Sequence, residues 1–348
     1  MPIASKILRT ASALVEAQMV KRESLEALQN VASRYAVAIT PALIDLIDAA
    51  DPHDPVALQF VPDERELETH PEETADPIGD EAHSPVPGVV HRYPDRVLLK
   101  IVNTCAVYCR FCFRREMVGP GRGALTGSAL AAALDYIART RQIWEVILTG
   151  GDPLLLPPRR LKDIMRRLAA IDHVKVIRLH TRIPIAMPEL ITPALLRALR
   201  TSKATYIVLH ANHSRELTKE ARAACARAVD AGIPMLSQSV LLRGVNDDVE
   251  TLGALMRALV ECRIKPYYLH HADLAPGTAH LRTSIAEGQA LTRALQGRYS
   301  GLCQPHYVLD IPGGHGKSPI GPTYLSADGT EITDFKGARH AYPPRLAR

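Results

Sequence analysis

Aromatic residues are scarce in this chain: only 5% of its 348 residues are Phe, Trp or Tyr, and there is a single Trp. A core built with so few rings must be filled by Leu, Ile, Val and Ala, and a hydrophobic content of 47% is enough for a large one. No apolar run reaches the roughly 20 residues that a membrane-spanning helix needs. No dense Lys/Arg run accompanies the formal net charge of +5, so nucleic-acid binding has no electrostatic footprint, and a basic pocket for anionic ligands accounts for the arginines as well. The opening 22 residues carry Lys6 and Arg9 and few acids, as a targeting peptide would. Glu16 and the continuing helical pattern favour a surface helix instead. Internal repeats and low-complexity tracts are missing too. The chain reads as cytoplasmic, with no membrane partner. Cysteines number only six, and in a reducing compartment a tight group of them points to metal rather than disulfides.

Three regions can be told apart. In residues 1–50 apolar positions such as Ile7, Leu14, Leu25, Leu28, Val31 and Ala36 recur at helical spacing. Residues 51–88 are acidic and proline-rich, which predicts an irregular connector. Leu58, Phe60, Val61 and Ile78 within it predict that it lies against the region that follows. These two stretches make up an N-terminal part, 1–88. From residue 97 short β-branched runs (97–102, 146–148, 174–179, 205–209, 235–240, 267–270) alternate with helical segments (127–140, 160–170, 193–201, 219–231, 249–261). Such alternation predicts a parallel sheet with right-handed crossovers. About six units make a partial (β/α)6-type barrel over 89–310, with chemistry at the C-terminal ends of its strands. A loop-rich extension rich in Gly and Pro, 311–348, completes the chain.

The cysteines crowd into NTCAVYCRFCFRR, residues 103–115, where Cys105, Cys109 and Cys112 are spaced C-x3-C-x2-C just after the first predicted barrel strand. Three thiolates can hold three irons of a [4Fe–4S] cluster and leave the fourth iron open. A structural zinc site would need a fourth ligand, usually from a second cysteine pair, and Cys225, Cys262 and Cys303 stand alone. ILTGGDPLLL, residues 147–156, ends the second predicted strand in two glycines and an acid, by itself an ordinary strand-end turn. DIPGGHGKSP, residues 310–319, sets Lys317 behind a glycine-rich turn. Its amine could form a Schiff base with an aldehyde, while the phosphate-loop pattern fails because only two residues separate Gly313 from Gly316.

The cysteine spacing, with Phe111 before the third cysteine, resembles that of radical S-adenosylmethionine enzymes. The ordered set SPVPG, HRYPDRV, the cysteine cluster, GGDPL, SQSVLLRGVND, KPYYLHHADL and D-x-P-G-G-x-G-K resembles, over about 84–342, the lysine 2,3-aminomutase family within them. The resemblance implies three cofactors: a [4Fe–4S] cluster on the three cysteines, S-adenosylmethionine on its open iron, and pyridoxal 5′-phosphate on Lys317. It implies that Arg92, Tyr93 and Arg96 contact the phosphate end, and that Gly150, Gly151 and Asp152 hold the amino group of S-adenosylmethionine. Gln238 is implied near that cofactor, and His210 or His213 beside its adenosyl group. Arg114 matches the substrate-carboxylate clamp, and Asp273 and Asp310 match two positions that pair the ε-ammonium of lysine. The activity implied is radical isomerisation of L-lysine to β-lysine, with an electron donor such as flavodoxin or ferredoxin, in a homo-oligomer. The alternatives are lysine isomerisation for elongation factor P, action on glutamate, and a non-catalytic iron–sulfur protein. The sequence departs from the family at His315, where many relatives have glycine. It also shows no cysteine-rich tail after Tyr342, which puts a structural zinc in doubt.

Overall fold

The computed structural model of the protein describes residues 6–121 and 123–344. The first five residues of the expected helical region and the last four of the polar tail lie outside the described residues. One sheet takes nine strands in chain order. They are β1 (Val89–Tyr93), β2 (Arg96–Val102), β3 (Glu145–Gly150), β4 (Val176–Thr181), β5 (Ala204–His210), β6 (Met235–Val240), β7 (Ile264–His270), β8 (His306–Ile311) and β9 (Gly316–Pro319). Every neighbouring pair from β2 to β8 is parallel, and β1 and β9 add antiparallel edges.

The helices between these strands cover the outer face because their sequences are amphipathic. Pro158–Ala169, for instance, buries Leu161, Ile164, Met165 and Leu168, one apolar stripe. Several begin on a side-chain cap that satisfies a free N–H of the first turn: Thr126 accepts from Ala129, Thr218 from Ala221, and Asp248 from Glu250 and Thr251.

All six anticipated strands are present, and β4 runs two residues later than the apolar pattern placed it. A seventh parallel strand, β8, goes beyond the expectation, because Asp310 interrupts its apolar pattern by turning toward the barrel interior. Lys317, expected on an appended loop, instead lies on β9, directly opposite Asp310 in the β8–β9 register. The two edges of the sheet do not pair by backbone. The Lys317 N–H on β9 donates to the Tyr93 hydroxyl on β1 at 2.6 Å, so a side chain stitches the seam of a partial barrel.

The N-terminal region is broken into short helices, Ala11–Glu16, Leu25–Arg34, Pro41–Ile44 and Ala57–Phe60. Leu14, Leu43, Ile44, Val56 and Phe60 from this region join the barrel's own apolar residues in one core. The connector is irregular apart from Ala57–Phe60 and two single-turn helices, Glu64–Leu67 and Glu81–His83. It packs on the barrel through buried Phe60 and Ile78, and it also buries Asp54, Glu66 and Asp80. The C-terminal extension carries a small hairpin, β10 (Glu331–Thr333) and β11 (Arg339–Ala341). Among the described residues no helix is long and apolar enough to cross a membrane.

Candidate active site

Cys105, Cys109 and Cys112 follow β2 and line a cavity of about 720 Å³ inside the barrel. Burial pushes all three thiols up, Cys105 well above 9.0 and Cys109 to about 11, so thiolates here need a cation to compensate their charge. Among the described residues no three His, Cys, Asp or Glu groups could hold a single metal ion. Three such thiols could supply the donors of a [4Fe–4S] cluster with one open iron.

The arginines around the cysteines explain why the connector is acidic. Arg110 donates to Glu66 through Nε at 2.9 Å and Nη2 at 2.5 Å, and Arg115 pairs with the same carboxylate. Glu66 is fully buried, and the two guanidinium groups hold its carboxyl low against the upward push of burial. Arg114 Nε and Nη2 both meet Asp80 Oδ2 at 2.9 Å. Arg92 Nη2 reaches Asp80 Oδ1 at 3.1 Å and the Ile78 carbonyl at 2.5 Å. Asp80, which sequence reasoning missed, therefore joins the arginine implied for a phosphate to the arginine implied for a substrate carboxylate. Its signal was composition alone: an acid in an acidic stretch.

Gly150 and Gly151 are glycine because the turn after β3 lies directly on the backbone leading to Cys105. A Cβ on Gly150, at φ +115°, would sit 2.3 Å from the Val102 carbonyl oxygen, and one on Gly151 would sit 2.1 Å from that of Thr104. The N–H groups of Gly151 and Asp152 donate to those same carbonyls at 2.6 and 3.0 Å. The Asp152 carboxylate accepts from Thr181 Oγ1 at 2.8 and 3.0 Å, Arg182 N at 2.8 Å and Leu154 N at 3.1 Å. Burial raises it to about 6 in spite of these donors. Asp152 thus ties the end of β3 to the end of β4.

Lys317 pairs with Asp310, whose Oδ2 also stands 3.4 Å from His270 Nδ1. Burial pushes the Asp310 carboxyl up, but His270 and Lys317 outweigh it and hold the group far below the usual carboxylate range. Asp273 faces the same cavity. Burial and the nearby Asp310 charge push it up to about 7, with Lys317, Arg114 and Arg92 opposing. Arg96 stacks on Tyr93, 3.8 Å from the ring centre, and pairs with Asp95 at 2.7 Å. Arg92, Tyr93, Arg96, Arg114, Gly150, Gly151, Asp152, Gln238 and His210 all line the cavity. His213 instead caps the turn Ser214–Glu216 by accepting from Arg215 N.

Three imidazoles project into the cavity from strand ends: His180, His210 and His270. Each has a buried Nε2 with no partner, as do Nε and Nη2 of Arg182, whose Nη1 is held by Glu216 at 3.1 Å. Burial keeps His180 and His210 neutral, well below 6.5. Buried polar atoms without partners are rare, and four side chains carrying them around one space mark a cavity shaped for polar ligands. His180, His270 and Arg182 were not anticipated, although "RLH" and "YLH" at strand ends repeat the "VLH" that ends at His210.

The profile of the Radical SAM superfamily matches residues 99–255. The L-lysine 2,3-aminomutase of Acetoanaerobium sticklandii is 42% identical over 92% of this chain and 78% of its own length. The enzyme of the same name from Clostridium subterminale is 40% identical over the same shares. A glutamate 2,3-aminomutase from Clostridioides difficile is 37% identical over 90% of this chain and 74% of its own. Among solved structures, a radical SAM methyltransferase from Sphaerobacter thermophilus aligns at TM-score 0.46, 23% identical over 66% of this chain and 71% of that one.

Proposed function

The chain belongs to the lysine 2,3-aminomutase family of radical SAM enzymes, and on that premise we propose that it moves the α-amino group of L-lysine to C3, giving β-lysine. The observation that carries this reading is the gathering of Arg114, Asp273, Asp310 and Lys317 in the one cavity that also contains the three cysteines. A guanidinium at one point and two carboxylates at another suit an amino acid with an anionic head and a cationic tail.

Cys105, Cys109 and Cys112 would hold three irons of a [4Fe–4S] cluster. The turn at Gly150 and Gly151, with Gln238 and His210, would hold S-adenosylmethionine, and Asp152 would keep that turn in place. Arg92, Tyr93 and Arg96 would take the phosphate of pyridoxal 5′-phosphate, whose aldehyde Lys317 Nζ would bind. The fit rests on the unpartnered nitrogens of His180, His210, His270 and Arg182 and on the thiols that burial leaves in need of a cation. When bound, the cluster with S-adenosylmethionine supplies a carbon radical able to take hydrogen from an unactivated position, and pyridoxal phosphate supplies an electron sink.

The chain's own residues do the rest. Arg114, with two of its nitrogens fixed by Asp80, orients the substrate carboxylate, since a guanidinium already locked loses little freedom on binding. The barrel wall encloses the reacting groups and limits the water that could hydrolyse reactive intermediates. An electron donor such as flavodoxin or ferredoxin, a homo-oligomeric state and a cytoplasmic location complete the proposal. Two acids in the tail region disfavour glutamate, whose γ-carboxylate they would repel.

The test is anaerobic reconstitution with iron, sulfide, S-adenosylmethionine, pyridoxal phosphate and a reductant, followed by incubation with L-lysine or L-glutamate. β-Lysine detected by chromatography and mass spectrometry supports the reading. Product from glutamate alone, or from neither with both cofactors bound, refutes it.

A further inference from the structure

One short segment of the acidic connector, residues 78–83, touches three separate parts of the site. At its centre Asp80 is fully buried, and its backbone is pinned on both sides. Its N–H donates to Asp76 Oδ1 at 2.8 Å, and its carbonyl accepts from Ser84 Oγ at 2.7 Å. Its two carboxylate oxygens go to different arginines. Oδ1 takes Arg92 Nη2 at 3.1 Å, a nitrogen that also meets the Ile78 carbonyl, and Oδ2 takes Nε and Nη2 of Arg114 at 2.9 Å. Burial pushes this carboxyl up, but Arg114, Lys100 and Arg92 outweigh it and hold the group low, so it stands ionised. The residues on either side reach the glycine turn before Lys317. Gly79, at φ +67°, lies so close that a Cβ would sit 2.5 Å from Gly314 N, and His83 Nε2 donates to the Gly314 carbonyl at 3.0 Å.

We propose that residues 78–83 form a clasp that assembles the cofactor and substrate sites as one unit, with Asp80 as its positioning residue. This rests on the reading of Arg92 and Lys317 as groups for pyridoxal phosphate and of Arg114 as the clamp for the substrate carboxylate. Arg92 and Arg114 line the cavity, and Asp80 stands behind them. It acts by deciding which of their donors remain for a ligand. Arginine carries five N–H donors in a rigid fork. With Nε and one Nη2 hydrogen of Arg114 turned to Asp80, the end of the fork is left: Nη1 and the second Nη2 hydrogen, two parallel donors for a carboxylate. At Arg92, Nη2 is held twice while the buried Nε has no partner, which keeps a donor for an anion. One carboxylate against two guanidiniums also leaves a net positive charge for the two anionic groups to complete. Asn at position 80 has one accepting oxygen and one donating NH2. One of the two arginines would then lose its acceptor and meet a donor instead.

Two independent readouts test the clasp. Purified protein is titrated with pyridoxal phosphate, reduced with borohydride, and the adduct on Lys317 is quantified by peptide mass spectrometry to give a half-saturating concentration. Lysine KM and kcat are measured on the reconstituted enzyme at saturating pyridoxal phosphate. Asp80→Asn is expected to raise both the half-saturating concentration and the lysine KM, each about tenfold, the worth of one charged hydrogen bond. Asp80→Glu, which keeps the charge and both oxygens, is expected to bring both back toward the parent values. His83→Ala loosens only the glycine turn, so it is expected to raise the half-saturating concentration about threefold, the worth of a neutral hydrogen bond, with lysine KM unchanged. An Asp80→Asn chain that moves one readout and leaves the other at the parent value overturns the clasp. So does one that loses iron or kcat while both readouts stay put, since Asp80 would then serve only to hold the fold. A parent chain that traps nothing on Lys317 overturns the reading of the cofactor site itself, and the proposal with it.

Discussion

Asp273 should cost the empty protein stability that the substrate later recovers, and removing its charge should show this. Its carboxyl is raised from 3.8 to about 7 by burial and by Asp310, roughly three units at about 1.36 kcal/mol each, so the ionised form costs up to ~4 kcal/mol. Its side chain lines the cavity and is only partly buried, which tempers that penalty, and ~2 kcal/mol is the expected net figure. The native state holds its proton more tightly than the unfolded chain does, so stability falls as pH rises from 3.8 through about 7 and levels off above it. Asp273→Asn keeps the shape without the charge. It should be nearly neutral around pH 4 and increasingly stabilising up to a plateau of ~2 kcal/mol above pH 7. Urea denaturation of cofactor-free parent and variant across that range measures the difference. A variant that is destabilised at pH 8, or whose advantage does not change with pH, would refute the reasoning. A gain in stability with a loss of lysine binding is the signature of a residue kept for function.

Three further outcomes are expected. Glu66→Gln leaves Arg110 and Arg115 buried without their shared carboxylate, and should destabilise the protein by ~3–5 kcal/mol in urea titration; a loss under ~1 kcal/mol would show that water reaches the pair. Arg114→Lys removes the fork that meets Asp80 through two nitrogens and should raise lysine KM about tenfold or more, whereas an unchanged KM would release Arg114 from the substrate. Cys112→Ala should abolish the iron–sulfur absorption of reconstituted protein with its thermal unfolding little changed, because Ala keeps part of the packing against the small cluster of Ala38, Tyr108 and Val118; retained iron at parental stoichiometry would contradict the ligand assignment.

Much of the site was legible because its chemistry depends on covalent spacing. Three cysteines within eight residues, a glycine pair at a strand end, and a lysine behind glycines are local patterns, and local patterns survive in one dimension. The strand–helix rhythm was legible for the same reason, since each element writes its period into contiguous residues. β8 escaped because Asp310 breaks the apolar run, and a functional residue turned inward is where pattern reasoning fails.

By itself, then, the order of residues determined the alternating α/β architecture, the cysteine trio and the lysine, all set by neighbours along the chain. Only the tertiary structure decided which charges meet. Asp80 bridges Arg92 and Arg114, Glu66 anchors Arg110 and Arg115, and Asp310 faces Lys317 while Asp273 stays open. Glu66 and Asp80 lay in a stretch that composition described only as acidic. Pairing across 12–49 residues of sequence depends on how the connector folds over the barrel mouth. The electrostatic reason is burial: a guanidinium taken out of water must find a carboxylate, and only the packed fold shows which one it finds.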